Sequence, residues 1–184
     1  KHPDDAIRLA ARLRDAGYSF SLRIAGSGTL EPKLRGMIAQ YALESQVCLL
    51  GSLSPEQVRR EMERSAIFLF TSDHEGWGAV LNEAMNSGCA VVASDAAGST
   101  PYLVENSVNG CVYRAGNRNE LYENVVRLLE QSSTREAMGK HAYETITNTW
   151  NAQEAACRLV DLIRAISEGV PSPELYSEGP CSRA

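Results

Sequence analysis

The chain has 184 residues, of which 43% are hydrophobic and 22% charged, with a formal net charge of −5. That is the make-up of one ordinary globular domain, and the acidic balance, with no Lys/Arg block against it, excludes a general nucleic-acid binder. The sequence shows no signal-peptide pattern and no long apolar span, so membrane insertion is not expected and a cytoplasmic setting is.

In chain order, apolar runs of strand length alternate with amphipathic runs of helix length. Residues 3–17, PDDAIRLAARLRDAG, carry a helical period ended by Gly17. FSLRIAG (20–26) reads as a strand, followed by Gly26-Ser27-Gly28 and a helix from about 30 to 44. VCLLG (47–51) is a strand. SPEQVRREMERS (54–65) is a helix with Ser54 at the N-cap, Pro55 at N1 and Gln57 at N3, the signature of a capping box. AIFLFTS (66–72) is a strand whose near-continuous apolar character predicts cover on both faces. GAVLNEAMNS (78–87) is a short helix stopped by Gly88. CAVVAS (89–94) and GCVYR (110–114) are strands. Helical periods then fill 117–132, 133–146 and 151–166, and a Pro-, Ser- and Gly-rich tail (169–184) is expected to be flexible.

Five cysteines, Cys48, Cys89, Cys111, Cys157 and Cys181, are odd in number and form no C-x-x-C. Neither a disulfide framework nor a zinc site is therefore expected. Cys48, Cys89 and Cys111 lie in apolar runs and are expected to pack as small hydrophobes.

The alternation predicts an α/β fold, a doubly wound, mostly parallel sheet with helices on both faces. The chain opens with a helix, whereas in such a sheet a helix normally follows a strand. The first strand of the sheet is therefore expected to be missing. The expected organisation is a domain over 1–168 and a tail over 169–184. Three loops follow strands directly, at 26–28, 75–78 and 95–100, so one carboxyl edge of the sheet should gather them, where ligands of such sheets bind.

Gly26-Ser27-Gly28 can bring backbone N–H groups to a phosphate, or can simply make a tight turn. Glu75-Gly76-Trp77-Gly78 precedes the short helix, and the amides of Gly78, Ala79 and Val80 would lie free at its start, suited to a diphosphate. Glu75 could merely favour that helix end. Trp77 is expected to pack in the core. Glu83 lies among Val80, Leu81, Ala84 and Met85, so it reads as a carboxylate in an apolar setting, costly unless paired. Its partner would be an Arg, a backbone N–H or two adjacent hydroxyls such as those of a ribose. At ~1.5 Å per residue, Glu83 lies about 7.5 Å along the helix from Gly78, the reach from phosphate to ribose.

The segment EGWGAVLNEAMNSGCAVVAS, with Glu75 and Glu83 separated by seven residues, resembles the E-x7-E signature of family 4 (group 1) glycosyltransferases, retaining enzymes of the GT-B fold. The resemblance extends from about residue 1 to 165, through LRIAGSG, VCLLGSLS, AIFLFTSDHEGWG and LVENSVNGCVY. It implies the C-terminal, donor-binding half, a Rossmann-like domain for a UDP-, GDP- or ADP-sugar. By position it gives Glu75 the contact with the donor sugar at the reacting centre and Glu83 the ribose hydroxyls. Gly76, Trp77, Gly78, Ala79 and Val80 would meet diphosphate and sugar. Gly26, Ser27 and Gly28 would lie near the phosphates, and Ser52 and Leu53 near the base. The family's diphosphate Arg has no counterpart here, and Lys1 stands where its Lys belongs. The usual G-G-x-P-E becomes Gly98-Ser99-Thr100-Pro101-Tyr102, so no role falls on Tyr102.

The resemblance further implies an acceptor-binding N-terminal half as partner, surface polysaccharide or glycolipid synthesis, peripheral association with the inner membrane face, and no transfer by this half alone. Exposed strand edges offer a route to a homodimer. No metal or cofactor is expected. Asp73-His74-Glu75 only superficially resembles a D-x-D, and His2, His74 and His141 show no metal spacing. Two alternatives stay open: a non-catalytic nucleotide-binding or interaction module, and a sugar-nucleotide epimerase on the same fold.

Overall fold

The computed structural model describes residues 1–170, 173 and 175–182. Its elements run α1 (Pro3–Asp15), β1 (Leu22–Ala25), α2 (Glu31–Gln40), β2 (Val47–Gly51), α3 (Pro55–Glu63), β3 (Ile67–Phe70) and α4 (Ala79–Asn86). Then follow β4 (Ala90–Ser94), α5 (Thr100–Leu103), β5 (Gly110–Tyr113), α6 (Arg118–Glu130), α7 (Ser132–Asn148) and α8 (Ala152–Ser167). The architecture is α/β, with parallel strands flanked by helices, and all the longer expected elements are present. The four-residue helix α5 was not legible, being too short for a period.

The strands do not form one sheet. β1 pairs with β2 in parallel, and β3-β4-β5 form a second parallel sheet. Among the described residues, no ladder joins β1 to β3. β4 is buried along its whole length, as its continuous apolar run requires when strands flank both edges and helices cover both faces. One face packs on Leu81, Ala84 and Met85 of α4 with Ala142 of α7, and the other on Leu121, Val125 and Leu128 of α6. A third cluster, Ile7, Leu34, Ile38 and Leu43, holds α1 and α2 over β1 and β2.

Cys89 and Cys111 are buried as expected, and burial pushes both thiols up, Cys89 to about 11. Cys48 is a correction: it is exposed. Side chains alternate along a strand, and on β2 the outward positions have no cover. The helix α3 starts on the expected capping box. Ser54 Oγ accepts from Gln57 N at 3.3 Å, and Gln57 Oε1 accepts from Ser54 N at 2.8 Å.

Helix α8 buries no side chain and leaves Leu159, Val160, Ile163 and Ile166 exposed. Tyr176 of the tail donates to Asp161 on it at 2.9 Å, beneath the Arg158 guanidinium. Residues 171, 172, 174, 183 and 184 of the tail expected to be flexible lie outside the described residues. No helix among the described residues is long and apolar enough to cross a membrane.

Candidate functional site

The carboxyl ends of the strands bring three loops together. At the end of β1, Gly26 takes φ 126° and its amide donates to Gly51 O at 2.7 Å. Ser27 Oγ and Ser52 Oγ share a hydrogen bond of 2.7 Å. The glycine turn and the Ser52-Leu53 segment are thus joined, with Ser27, Gly28 and Ser52 exposed.

After β3 the chain runs through Asp73 and Glu75 to Gly78, the N-cap of α4, at φ 87°. That backbone suits glycine, and a Cβ there would also lie 2.6 Å from the Phe70 ring. No side chain caps α4. Among the described residues, the amides of Gly78, Ala79 and Val80 donate to no protein acceptor, while Leu81 N bonds back to Gly78 O at 2.9 Å. Three free donors and the positive end of the helix dipole therefore face the sheet edge.

The loop after β4 fixes this geometry. Gly98 N donates to Glu75 O at 3.1 Å and Ser99 N to Trp77 O at 2.8 Å. A Cβ on Gly98 would lie 1.7 Å from Gly76 O. The role of Gly98 was not visible in the sequence, because it depends on a tertiary approach between two loops.

The start of the chain folds over the same edge. Thr71 Oγ1 donates to Lys1 O at 2.9 Å, His2 Nε2 sits 2.6 Å from Asp73 Oδ2, and the Lys1 ammonium contacts the Glu75 carboxylate. The hydrogen bond with His2 holds the Asp73 carboxyl below its usual range. Glu75 is thus a carboxylate with one cationic partner, its side chain 20% exposed.

Two expectations change. Glu83 is exposed, not buried. Helix α4 turns Leu81, Ala84 and Met85 inward, and at ~100° per residue position 83 falls on the opposite side, above Ala79. The apolar neighbours in sequence are therefore not neighbours in space, and Glu83 has no desolvation cost to explain. It is a free carboxylate one turn along from the free amides. Trp77 is exposed rather than in the core. Its ring stacks on Tyr102 and Trp150 at 5.6 and 5.7 Å between centroids, and its Nε1 donates to Asn82 Oδ1 at 2.9 Å. This surface aromatic group also was not legible, since its members come from three separate segments.

His74 and His141 are exposed, and His141 faces Val108 O at 3.3 Å. Among the described residues, no cluster of His, Cys, Asp and Glu is arranged to hold a metal ion.

Residues 1–145 match the family model for glycosyl transferases, group 1. The amylovoran biosynthesis glycosyltransferase AmsK of Erwinia amylovora is 29% identical over 168 residues, covering 88% of this chain and 41% of that protein. The chain thus spans less than half the length of this relative. The Staphylococcus aureus protein TarM, solved with fondaparinux, α-GlcNAc-glycerol and UDP, superposes with a TM-score of 0.80 at 25% identity, over 88% of this chain and 32% of that one. The C-terminal domain of a group 1 glycosyl transferase (LpcC) from Francisella tularensis shares the fold, with a TM-score of 0.74 at 21% identity, covering 80% of this chain and 78% of that one. The free helix end, the two carboxylates and the glycine turn thus stand in a C-terminal, Rossmann-like domain of the GT-B type, and the chain belongs to the group 1 glycosyltransferases.

Proposed function

We propose that this chain is the donor-binding half of a retaining glycosyltransferase that moves a sugar from a nucleoside-diphosphate sugar to an acceptor held by a second domain. One observation carries the reading. The unpaired amides of Gly78, Ala79 and Val80 lie between two carboxylates, Glu75 before the helix and Glu83 one turn along its exposed face. Free amides at a helix end bind a diphosphate without any metal ion. Glu83 then accepts from the two ribose hydroxyls, and Gly26, Ser27, Gly28, Ser52 and Leu53 close the nucleotide side. Glu75 meets the sugar at the end where the bond breaks.

The chemical gain comes from the leaving group. Cleaving the sugar–phosphate bond leaves charge on the nucleoside diphosphate, and fixed N–H donors stabilise that charge without reorganising. Lys1, whose ammonium rests on Glu75, is the cation at hand for the same phosphates. TarM, solved with UDP, supports a uridine nucleotide as the first ligand to try. The amylovoran biosynthesis glycosyltransferase among the relatives supports a role in polysaccharide synthesis for the whole protein. On this reading the second domain holds the acceptor, so this half alone binds the donor and does not transfer sugar.

Calorimetric titration with UDP, GDP and ADP tests the reading. One nucleotide binds saturably, and Glu83→Ala weakens it roughly tenfold, about 1.4 kcal/mol, as for a lost charge-assisted hydrogen-bond pair. Glu83 is exposed and bonds to no other side chain among the described residues, so the variant keeps its stability to within about 0.5 kcal/mol. Binding that Glu83→Ala leaves unchanged would remove Glu83 from the site. Absence of binding to all three would remove the donor reading for this chain.

A further inference from the structure

The aromatic group beside the candidate site has the make-up of a sugar-binding surface. Trp77 and Tyr102 are 39% and 42% exposed, and Trp150 lies half-buried against them. The three ring centroids are 5.6, 5.7 and 6.3 Å apart, and the rings tilt by 35°, 42° and 68° from one another. They form a curved patch rather than a flat stack. The bond from Trp77 Nε1 to Asn82 Oδ1 ties the polar edge of the indole to α4, so what this ring offers to solvent is apolar.

An open cavity of about 520 Å³ adjoins the patch, lined by Asn86, Thr147, Asn151, Gln153 and Glu154. Two short steps connect them. Asn151 follows Trp150 in the chain, and Asn86 lies one turn along α4 from Asn82, about 6 Å at ~1.5 Å per residue. Asn151 is already engaged: its Oδ1 accepts from Glu154 N at 2.8 Å and its Nδ2 donates to Thr147 O at 2.9 Å, which fixes the wall. The side-chain amides of Asn86 and Gln153 are exposed and have no protein partner among the described residues.

We propose that the rings and the cavity form one binding site for a neutral oligosaccharide, the acceptor chain of the transfer. A pyranose ring has an apolar face of C–H groups and an edge of hydroxyls that both donate and accept. Exposed aromatic faces match the first, and planar amides, each with donors and an acceptor, match the second. Other occupants fit worse. Neither the three rings nor the cavity lining includes a Lys or Arg, so a nucleic acid or another polyanion has no counter-charge there. An apolar helix of a protein partner would bury the free amides of Asn86 and Gln153 without hydrogen bonds, which is costly. Position assigns the role. Gly98 N donates to Glu75 O and Ser99 N to Trp77 O, and α5, which carries Tyr102, begins in that same loop. The patch therefore shares its loops with the reacting end of the donor site. The second domain holds the end of the acceptor that reacts, and this surface holds units further along its chain. Only that role rests on the donor reading; the binding of sugar does not.

Trp77 and Trp150 are the only tryptophans of the chain, so its tryptophan emission reports this site alone. The chain is titrated without nucleotide with β-1,4-galactotetraose, cellotetraose and methyl β-galactoside. At least one tetrasaccharide should change the emission saturably, with a dissociation constant on the order of 1–10 mM. The monosaccharide, too short to span rings and cavity, should bind at least about tenfold more weakly. Tyr102→Ala, which keeps both reporters, should weaken tetrasaccharide binding about fivefold, and Tyr102→Phe, which keeps the ring, should not. Gln153→Ala, in the cavity, should also weaken it about fivefold. Far-UV circular dichroism reports that each variant is folded. No saturable change with either tetrasaccharide up to about 50 mM would overturn the proposal. So would binding that Tyr102→Ala or Gln153→Ala leaves unchanged, or a monosaccharide bound as tightly as the chain. Titration with UDP is read separately. Nucleotide binding without sugar binding sinks this inference alone, and sugar binding without nucleotide binding upholds the site and sinks the donor reading.

Discussion

The β3-β4-β5 half and the β1-β2 half are built from the same kind of unit but hold together differently. β4 has a strand on each edge and helices on both faces, and every residue from Ala90 to Ser94 is buried. β1 has one paired edge, and its residues alternate between half-buried and exposed. The lesson is that burial belongs to position in the sheet rather than to the strand sequence. LRIA and AVVAS are both capable of strand formation, but only the second has been given two neighbours. The first half leans instead on α1 and α2 and on a cluster of charges.

The sharpest way to break this comparison is to cut equivalent apolar side chains from both halves. Leu128 of α6 is fully buried against β4 and β5, so Leu128→Ala should cost about 2–5 kcal/mol in a urea titration, the range for a buried leucine that leaves a cavity. Ile24 of β1 is only half buried, so Ile24→Ala should cost about 1 kcal/mol, in proportion to the area it removes from water. Equal costs would mean that the β1-β2 half is as tightly packed as the other.

Much of this was legible before the structure, for definite reasons. The capping box at Ser54 and the apolar run at 90–94 are local signals, and local signals survive folding. The convergence of the glycine turn, Glu75 and the short helix was legible because parallel strands put all following loops at one edge. What failed was any inference from sequence neighbours to spatial neighbours. Glu83 looked buried because four apolar residues surround it in the chain, yet a helix of eight residues shows it to solvent. Cys48 looked buried in an apolar strand, but that strand is at an edge. Gly98 and Gly139 carried no local signal at all. Each is required by a carbonyl from elsewhere: Gly76 O lies 1.7 Å from a Cβ built on the first, and Gly88 O 2.3 Å from one built on the second.

The second prediction uses charge to sharpen the same contrast. Asp4 sits where α1 meets α2, its side chain 12% exposed, accepting from Arg8 at 2.8 Å and Lys33 at 3.2 Å. Burial works to raise its carboxyl, but the hydrogen bonds from Arg8 and Lys33 outweigh burial and hold it at about 2. A carboxyl held below its unfolded value of about 4 stabilises the fold above that pH, and the contribution is lost as pH falls from about 4 to about 2. At ~1.4 kcal/mol per pH unit the loss is about 2 kcal/mol. The urea midpoint should fall over that window in the native chain, and Asp4→Asn, already destabilised at pH 5, should fall by less. Exchange should rise first in α1 and α2. Parallel acid profiles for the two chains would show that Asp4 is not the group involved.

The smallest effect falls on the connection between the halves. Helix α3 leaves β2 and delivers the chain to β3, with Met62 packed into the larger core. Its first turn depends on the reciprocal bonds between Ser54 and Gln57. Ser54→Ala removes the acceptor for Gln57 N and should cost about 1 kcal/mol. Ser54→Thr keeps that oxygen and should restore most of the loss. If the cap acts only on α3, donor binding at α4 should not change, because the two helices start from different strands. Threonine failing to rescue would mean that Ser54 acts through something other than its hydroxyl. A coupled loss of nucleotide binding would mean that α3 transmits strain from the β1-β2 half to the site, and that the halves are less independent than their separate sheets suggest.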